Sequence, residues 1–229
     1  MKNKIEATVV LGNLVFGAVG EGDALDSLLF AQLAADDALN KFDSPENWFS
    51  ECRRAMIKSK WMGLTNYSGG FEPGEKDRIT LEDLIEQHLL SHLSRSRARE
   101  IKHMLDCTFT LAETDEPWAL FRRNIYSAPD EASGNSTIAL QVSVIEQQVH
   151  LFSLFVTFTT SSAVESDLWH QEFPASSIVG SVELRFIQRQ WNRSSYRRVR
   201  DGIRRYLAGK KDGFVLPVSC SNSVGDDNG

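Results

Sequence analysis

The sequence predicts an α+β fold, with N-terminal helices packed on an antiparallel β-meander and a C-terminal amphipathic helix closing the sheet. Three observations lead there. Apolar residues recur at helical spacing through the first half, the period switches to two between about 138 and 188, and helical spacing returns over 192–208. With 229 residues, 41% of them hydrophobic, the chain can bury one substantial core. It reads as a single domain over 1–216 followed by a mobile polar tail over 217–229.

The first helix is placed after Asp23, a capping residue, with Leu25, Leu28, Leu29 and Leu33 at helical spacing up to about Asn40. A second starts at Asp43-Ser44-Pro45-Glu46, which supplies a capping side chain, proline at the first helical position and an acid suited to the helix dipole. Trp48, Cys52, Ala55 and Met56 form its apolar face, and it runs to about Lys60. Trp61 to Tyr67 reads as a short strand ended by Ser68-Gly-Gly70. Thr80-Leu-Glu-Asp83 resembles a capping box and opens a helix striped by Leu81, Leu84, Ile85, Leu89 and Leu93, with another helix over 97–107. Trp118, Leu120 and Phe121 call for burial within an otherwise irregular stretch.

In the second half, Ile138, Leu140, Val142 and Val144 alternate with smaller or polar residues, as on a half-buried strand. After the turn at Glu146-Gln-Gln148 the chain returns with Phe152, Leu154, Val156 and Phe158 on one face and Leu151 and Phe155 on the other, the pattern of a central strand. An acidic loop, 161–175, leads to a third strand carrying Val182, Leu184 and Phe186. The closing helix over 192–208 places Tyr196, Val199, Ile203 and Leu207 toward the sheet, with Gly209 as its terminator.

Charge is unevenly spread under a net −6. Residues 1–50 carry eight acids against three bases and 111–184 ten against two, whereas 185–229 carry ten bases against four acids. That pattern weighs against a protein built mainly to hold nucleic acid. The three cysteines, Cys52, Cys107 and Cys220, show no metal-binding or disulfide-framework spacing, which suits a reducing, cytoplasmic setting. Lys2 and Lys4 precede a largely apolar run from Ala7 to Val19, but Glu6 and Asn13 interrupt it and it leads into a helical pattern, so it is read as part of the fold rather than as a cleaved leader. No run is apolar for long enough to make a membrane-spanning helix, and the protein is expected to be soluble.

The arginine stripe Arg193, Arg197, Arg200 and Arg204, with Trp191 beside it, is the strongest candidate site, because guanidinium groups bind phosphate and carboxylate in bidentate fashion. A solvated face paired with the protein's own acids explains the stripe without a partner. An acidic protein surface or a second subunit is the first partner class, and nucleic acid or anionic lipid is the second, with Trp191, Tyr196 and Tyr206 available for stacking. His88 and His92 have the i, i+4 spacing of a metal-binding pair, but Leu89 stands where a zincin glutamate would be and both follow the apolar stripe. No metal, cofactor or catalytic residue is assigned. Acid pairs such as Asp36-Asp37 and Glu82-Asp83 read as helix starts and solvated faces, and an enzymatic role is left open without a site.

The order Leu28-Leu-Phe-Ala-Gln-Leu-Ala-Ala35, Asp43, Trp48-Phe49 and Trp61, followed by Phe158-Thr-Thr-Ser-Ser162 and Tyr196-Arg-Arg-Val-Arg-Asp-Gly-Ile203, resembles a group of uncharacterised proteins of similar size. These share an LLxAQLAA helix, a following Trp-containing helix and a late YxxVR helix. The resemblance covers about a third of the chain and implies a common architecture without a known activity. The expected role is a non-enzymatic binding or assembly protein that uses the basic helix and the acidic 161–175 loop as recognition surfaces.

Overall fold

The computed structural model describes residues 5–18, 22–75, 77–112 and 114–219. It contains helices and strands around a large mixed sheet, and α+β is the fitting class. The described elements are β1 (Ile5–Val10), β2 (Asn13–Ala18), α1 (Gly22–Asp36), α2 (Pro45–Lys58), β3 (Trp61–Phe71), β4 (Arg78–Ile79), α3 (Leu81–His88), α4 (Arg95–Phe109), α5 (Glu116–Arg123), β5 (Ser136–Glu146), β6 (His150–Thr160), β7 (Phe173–Pro174), β8 (Ile178–Trp191), α6 (Arg193–Tyr196), α7 (Arg200–Leu207) and β9 (Val215–Val218). The seven-stranded sheet has the order β3-β8-β6-β5-β2-β1-β9, and β4 pairs with β7 in a separate two-stranded ribbon. All neighbours in the large sheet are antiparallel except β2 and β5, which run parallel with Asn13 opposite Gln141.

The strong start signals form as expected. Pro45 occupies the first turn of α2, although the expected side-chain cap before it does not form at Ser44, and Thr80 Oγ1 accepts a hydrogen bond from the Asp83 amide at 3.0 Å to cap α3. Trp118, Leu120 and Phe121 are buried on α5. Strand β6 lies between β5 and β8, and its two apolar faces are covered, by α2 on one side and by α3 and β7 on the other. On one face Phe155 stacks on Phe49 of α2, with ring centroids 4.9 Å apart. On the other, Phe158 packs edge-on to Phe173 at 5.1 Å, and Phe186 of β8 stacks on His92 at 4.1 Å.

Several expectations are corrected. The apolar run after Lys4 precedes helix α1, as expected, but it is itself a β-hairpin that no strand was assigned to, paired on one side to β5 and on the other to β9. The supposed tail begins inside β9, where Pro217 and Val218 pair with Thr8 and Ala7, and residues 220–229 lie outside the described residues. The strand begun at Trp61 does not stop at Ser68 but continues through both glycines to Phe71, because β8 pairs with it along that length. Cys107 is disulfide-bonded, which the cysteine spacing did not indicate. Cys52 is a buried free thiol. Among the described residues, no helix is long and apolar enough to cross a membrane.

The hairpin turn is held by side chains from elsewhere in the chain. Leu11 adopts the left-handed conformation (φ 55°), Gln32 of α1 donates to the Val10 carbonyl at 2.7 Å, and the Gly12 amide donates back to Gln32 Oε1 at 3.2 Å. Lys41 closes the turn from above, its Nζ 2.7 Å from the Asn124 carbonyl oxygen and 4.9 Å from the Trp48 ring. A Cβ on Gly12 would lie 2.5 Å from Lys41 Nζ and 2.8 Å from the Asn124 carbonyl oxygen. The lysine tip can retreat, but the backbone oxygen cannot. Gly12→Ala is therefore expected to destabilise the fold by about 1–3 kcal/mol, read as a lower urea midpoint at unchanged m-value.

Candidate functional site

The basic segment leaves the sheet at the end of β8 and folds as two short helices rather than one rod. Asn192 caps α6 by accepting from the Ser195 amide at 2.9 Å. Tyr196 is then drawn under the chain, 1% exposed, with its ring 4.8 Å from Trp191. Residues 197–199 form a turn before α7 begins, which breaks the expected continuous helix. The apolar side of α7 also has a different neighbour from the expected one, since it packs mainly on α1 instead of covering the sheet. Ile203 and Leu207 are buried, Tyr206 meets Phe30 edge-on at 5.3 Å, and its hydroxyl donates to Asp37 Oδ2 at 2.6 Å. Gly209, with φ 77°, turns the chain after the helix as expected.

The break brings the arginines around one acid from the opposite end of the chain. Asp23, in the first turn of α1, holds Arg200 Nη2 at 2.9 Å through Oδ2 and Arg204 Nη2 at 3.1 Å through Oδ1. Arg193 donates to Gln148 Oε1 at 3.0 Å and its guanidinium carbon lies 5.7 Å from the Trp191 ring centre. Lys211 Nζ stands 2.5 Å from Asp26 Oδ1, on a carboxylate almost wholly buried. Among the described residues Arg197 has no ion pair. Two adjoining hollows result, of about 290 and 320 Å³, sharing Asp23, Trp191 and Arg193. Five cations, Arg193, Arg197, Arg200, Arg204 and Lys211, line them against two acids, Asp23 and Asp26.

All five residues singled out from the sequence thus meet at this cleft, but Trp191 has a different part in it. It is 5% exposed, stacks on Trp61 at 5.5 Å and donates its indole N–H to the Ser59 carbonyl at 3.1 Å. It is a wall, not an open stacking platform. Tyr196 and Tyr206 are committed in the same way, and burial first, then nearby aspartates, holds both phenols above the usual tyrosine range. Sequence reasoning missed Asp26, Gln148 and Lys211, and took Asp23 for a cap, because nothing local marks a contact between chain ends.

The other candidates separate from this cleft. Helix α3 ends at His88, and His92 lies in the following 3-10 turn, stacked on Phe186, so the two histidines do not share a helical face. Burial, with His92 nearby, pushes the His88 imidazole below the usual range. The acidic 161–175 loop is anchored instead of free along its length: Leu168, Trp169 and Phe173 are buried, and Trp169 stacks on Phe109 at 4.9 Å. Glu165, Asp167 and Glu172 stay exposed, Glu172 pairing with Arg78.

No protein-family model and no curated protein matches the chain. A solved structure titled delta-endotoxin aligns over 80% of this chain and 81% of its own, at 12% identity and a TM-score of 0.45. At that level the likeness carries no functional argument.

Proposed function

We propose that this is a non-enzymatic binding or assembly protein that takes a carboxylate-bearing segment of a protein partner, or of a second copy, in the cleft beside α6 and α7. The observation that supports this reading is the fork of Arg200 and Arg204 on Asp23 next to Arg193 and Arg197. Guanidinium groups held in place lose less freedom on meeting a carboxylate than free side chains would. The excess of cations over acids in the cleft then favours a partner carrying further acids. The exposed acids of the 161–175 loop supply a second surface of opposite sign. Nucleic acid and anionic lipid fit less well, since the three aromatic rings nearby are buried or bonded and two carboxylates face the cleft.

The test uses the full chain and three probes: a fluorescent octa-glutamate peptide, a single-stranded DNA octamer and phosphatidylserine vesicles. Arg193→Glu with Arg197→Glu leaves the Asp23 fork intact, so the fold is retained and circular dichroism checks it. Peptide binding is expected to fall at least tenfold in the double variant and to weaken with salt. Equal binding by both proteins overturns the reading, as does tighter binding of the wild type to DNA or vesicles than to the peptide.

A further inference from the structure

A second group of side chains, outside the basic cleft, has the chemistry of a metal site. Glu82 stands in the first turn of α3, Asp106 near the end of α4, and His170 in the loop between β6 and β8. One donor atom from each lies within 4.8 Å of the other two, and His170 Nε2 is 3.9 Å from Glu82 Oε2. The backbone fixes this meeting, because the Glu82 amide donates to the Trp169 carbonyl at 3.3 Å and the Trp169 ring is buried on Phe109. We propose that Glu82, Asp106 and His170 bind a divalent transition-metal ion of the Zn²⁺ type.

What supports the assignment is the outer layer. Each of the three side chains has one polar atom already engaged by a residue outside the trio, and another left over. His170 Nδ1 lies 3.0 Å from Asp167 Oδ2, Asp106 Oδ1 accepts from the Trp169 indole N–H at 3.0 Å, and Glu82 Oε1 accepts from Lys102 Nζ at 2.8 Å. A carboxylate on one imidazole nitrogen fixes the ring and its tautomer and leaves the other nitrogen to face a metal. The group gathers four carboxylates, those of Glu82, Glu86, Asp106 and Asp167, and among the described residues Lys102 is the ammonium paired there, with Glu82 and Glu86. A divalent ion would offset that excess of negative charge while Lys102 keeps its bond to Glu86. One nitrogen and two oxygens suit Zn²⁺ and leave coordination positions for water or a ligand. At tetrahedral angles two nitrogen or oxygen ligands on one zinc stand about 3.4 Å apart, so atoms up to 4.8 Å apart must draw together by about 1 Å. His170 and the Asp167 that holds it are 48% and 59% exposed, so the pair can shift together toward the carboxylates.

Isothermal titration of chelator-treated full-length protein with ZnCl₂, and Co²⁺ absorption spectra as an independent readout, test the site. One equivalent is expected to bind, and His170→Ala or the pair Glu82→Gln with Asp106→Asn is expected to weaken binding at least tenfold. The amide variants keep acceptors for Trp169 and Lys102, so the fold persists. Asp167→Asn, acting through the imidazole, is expected to lower affinity about 10–100-fold with the Co²⁺ spectrum shifted. Absence of zinc binding overturns the proposal. So does binding that survives His170→Ala unchanged, or that is lost instead on His88→Ala or His92→Ala.

Discussion

Trp48→Ala is expected to cost about 3–5 kcal/mol of folding stability, the largest loss among single substitutions considered for this protein. The indole is wholly buried, lies over Phe155 with centroids 5.7 Å apart, and donates its N–H to Asp36 Oδ1 at 2.6 Å. It also supports Lys41, whose ammonium burial brings down to about 8, with Asp36 acting in the opposite direction. Burial likewise holds the Asp36 carboxyl above the usual range, partly offset by the Trp48 N–H and Lys41. Removing the ring thus creates a cavity and strips the Asp36 carboxylate and the buried Lys41 ammonium of their shared neighbour. Trp48→Phe separates the two effects, because it keeps most of the packing and loses the hydrogen bond; about 1–3 kcal/mol is expected. Urea denaturation measures both variants. Equal losses for Phe and Ala would show that the N–H to Asp36 accounts for the whole effect.

Arg189→Met is expected to stabilise the fold by about 1–4 kcal/mol. Arg189 is 2% exposed near the end of β8, an inner strand, yet among the described residues its guanidinium reaches only the Trp61 carbonyl oxygen, at 3.4 Å, and its Nε is buried without a partner. Among the described residues no carboxylate forms an ion pair with it, and Arg53 adds a like charge nearby. Burial, then Arg53, lowers its hold on the proton. The neighbouring Cys52 thiol is pushed up to about 12, first by burial and then by Asp36, so it supplies no compensating thiolate at neutral pH. Methionine fills similar space without the desolvation cost. Guanidinium chloride unfolding midpoints decide the matter, and a loss above about 1 kcal/mol would contradict it.

Much of the architecture was legible because local signals and the fold agree. Pro45, Thr80 and Gly209 stand where proline, a hydroxyl cap and a left-handed residue are each favoured for their own steric or hydrogen-bonding reason. The two-sided apolar pattern of β6 identified a central strand because both of its faces are covered, one by α2 and the other by α3 and β7. The same burial hid β2: Asn13 to Gly17 are all buried, so alternation is lost and the run resembles any short apolar segment. The break at 197–199 is a tertiary effect, with Tyr196 pinned on Trp191 and Ile203 on the α1 side, and arginine-rich spacing cannot reveal it. The stripe itself was legible as charge. Its carboxylate was not, since Asp23 and Arg204 meet only after the chain has folded on itself.

The parallel pairing of β2 with β5 constrains the order in which the molecule can be made. Five helices and two strands lie between the partners, so their contact is gained only after a long loop has been closed at an entropic cost. On the ribosome this hairpin emerges with α1 soon after it, but the strand that β2 pairs with, β5, is made only after five helices and two strands have followed. A newly made chain therefore passes through a stage in which this hairpin needs shielding, by α1 or by a chaperone, before the sheet can take it in.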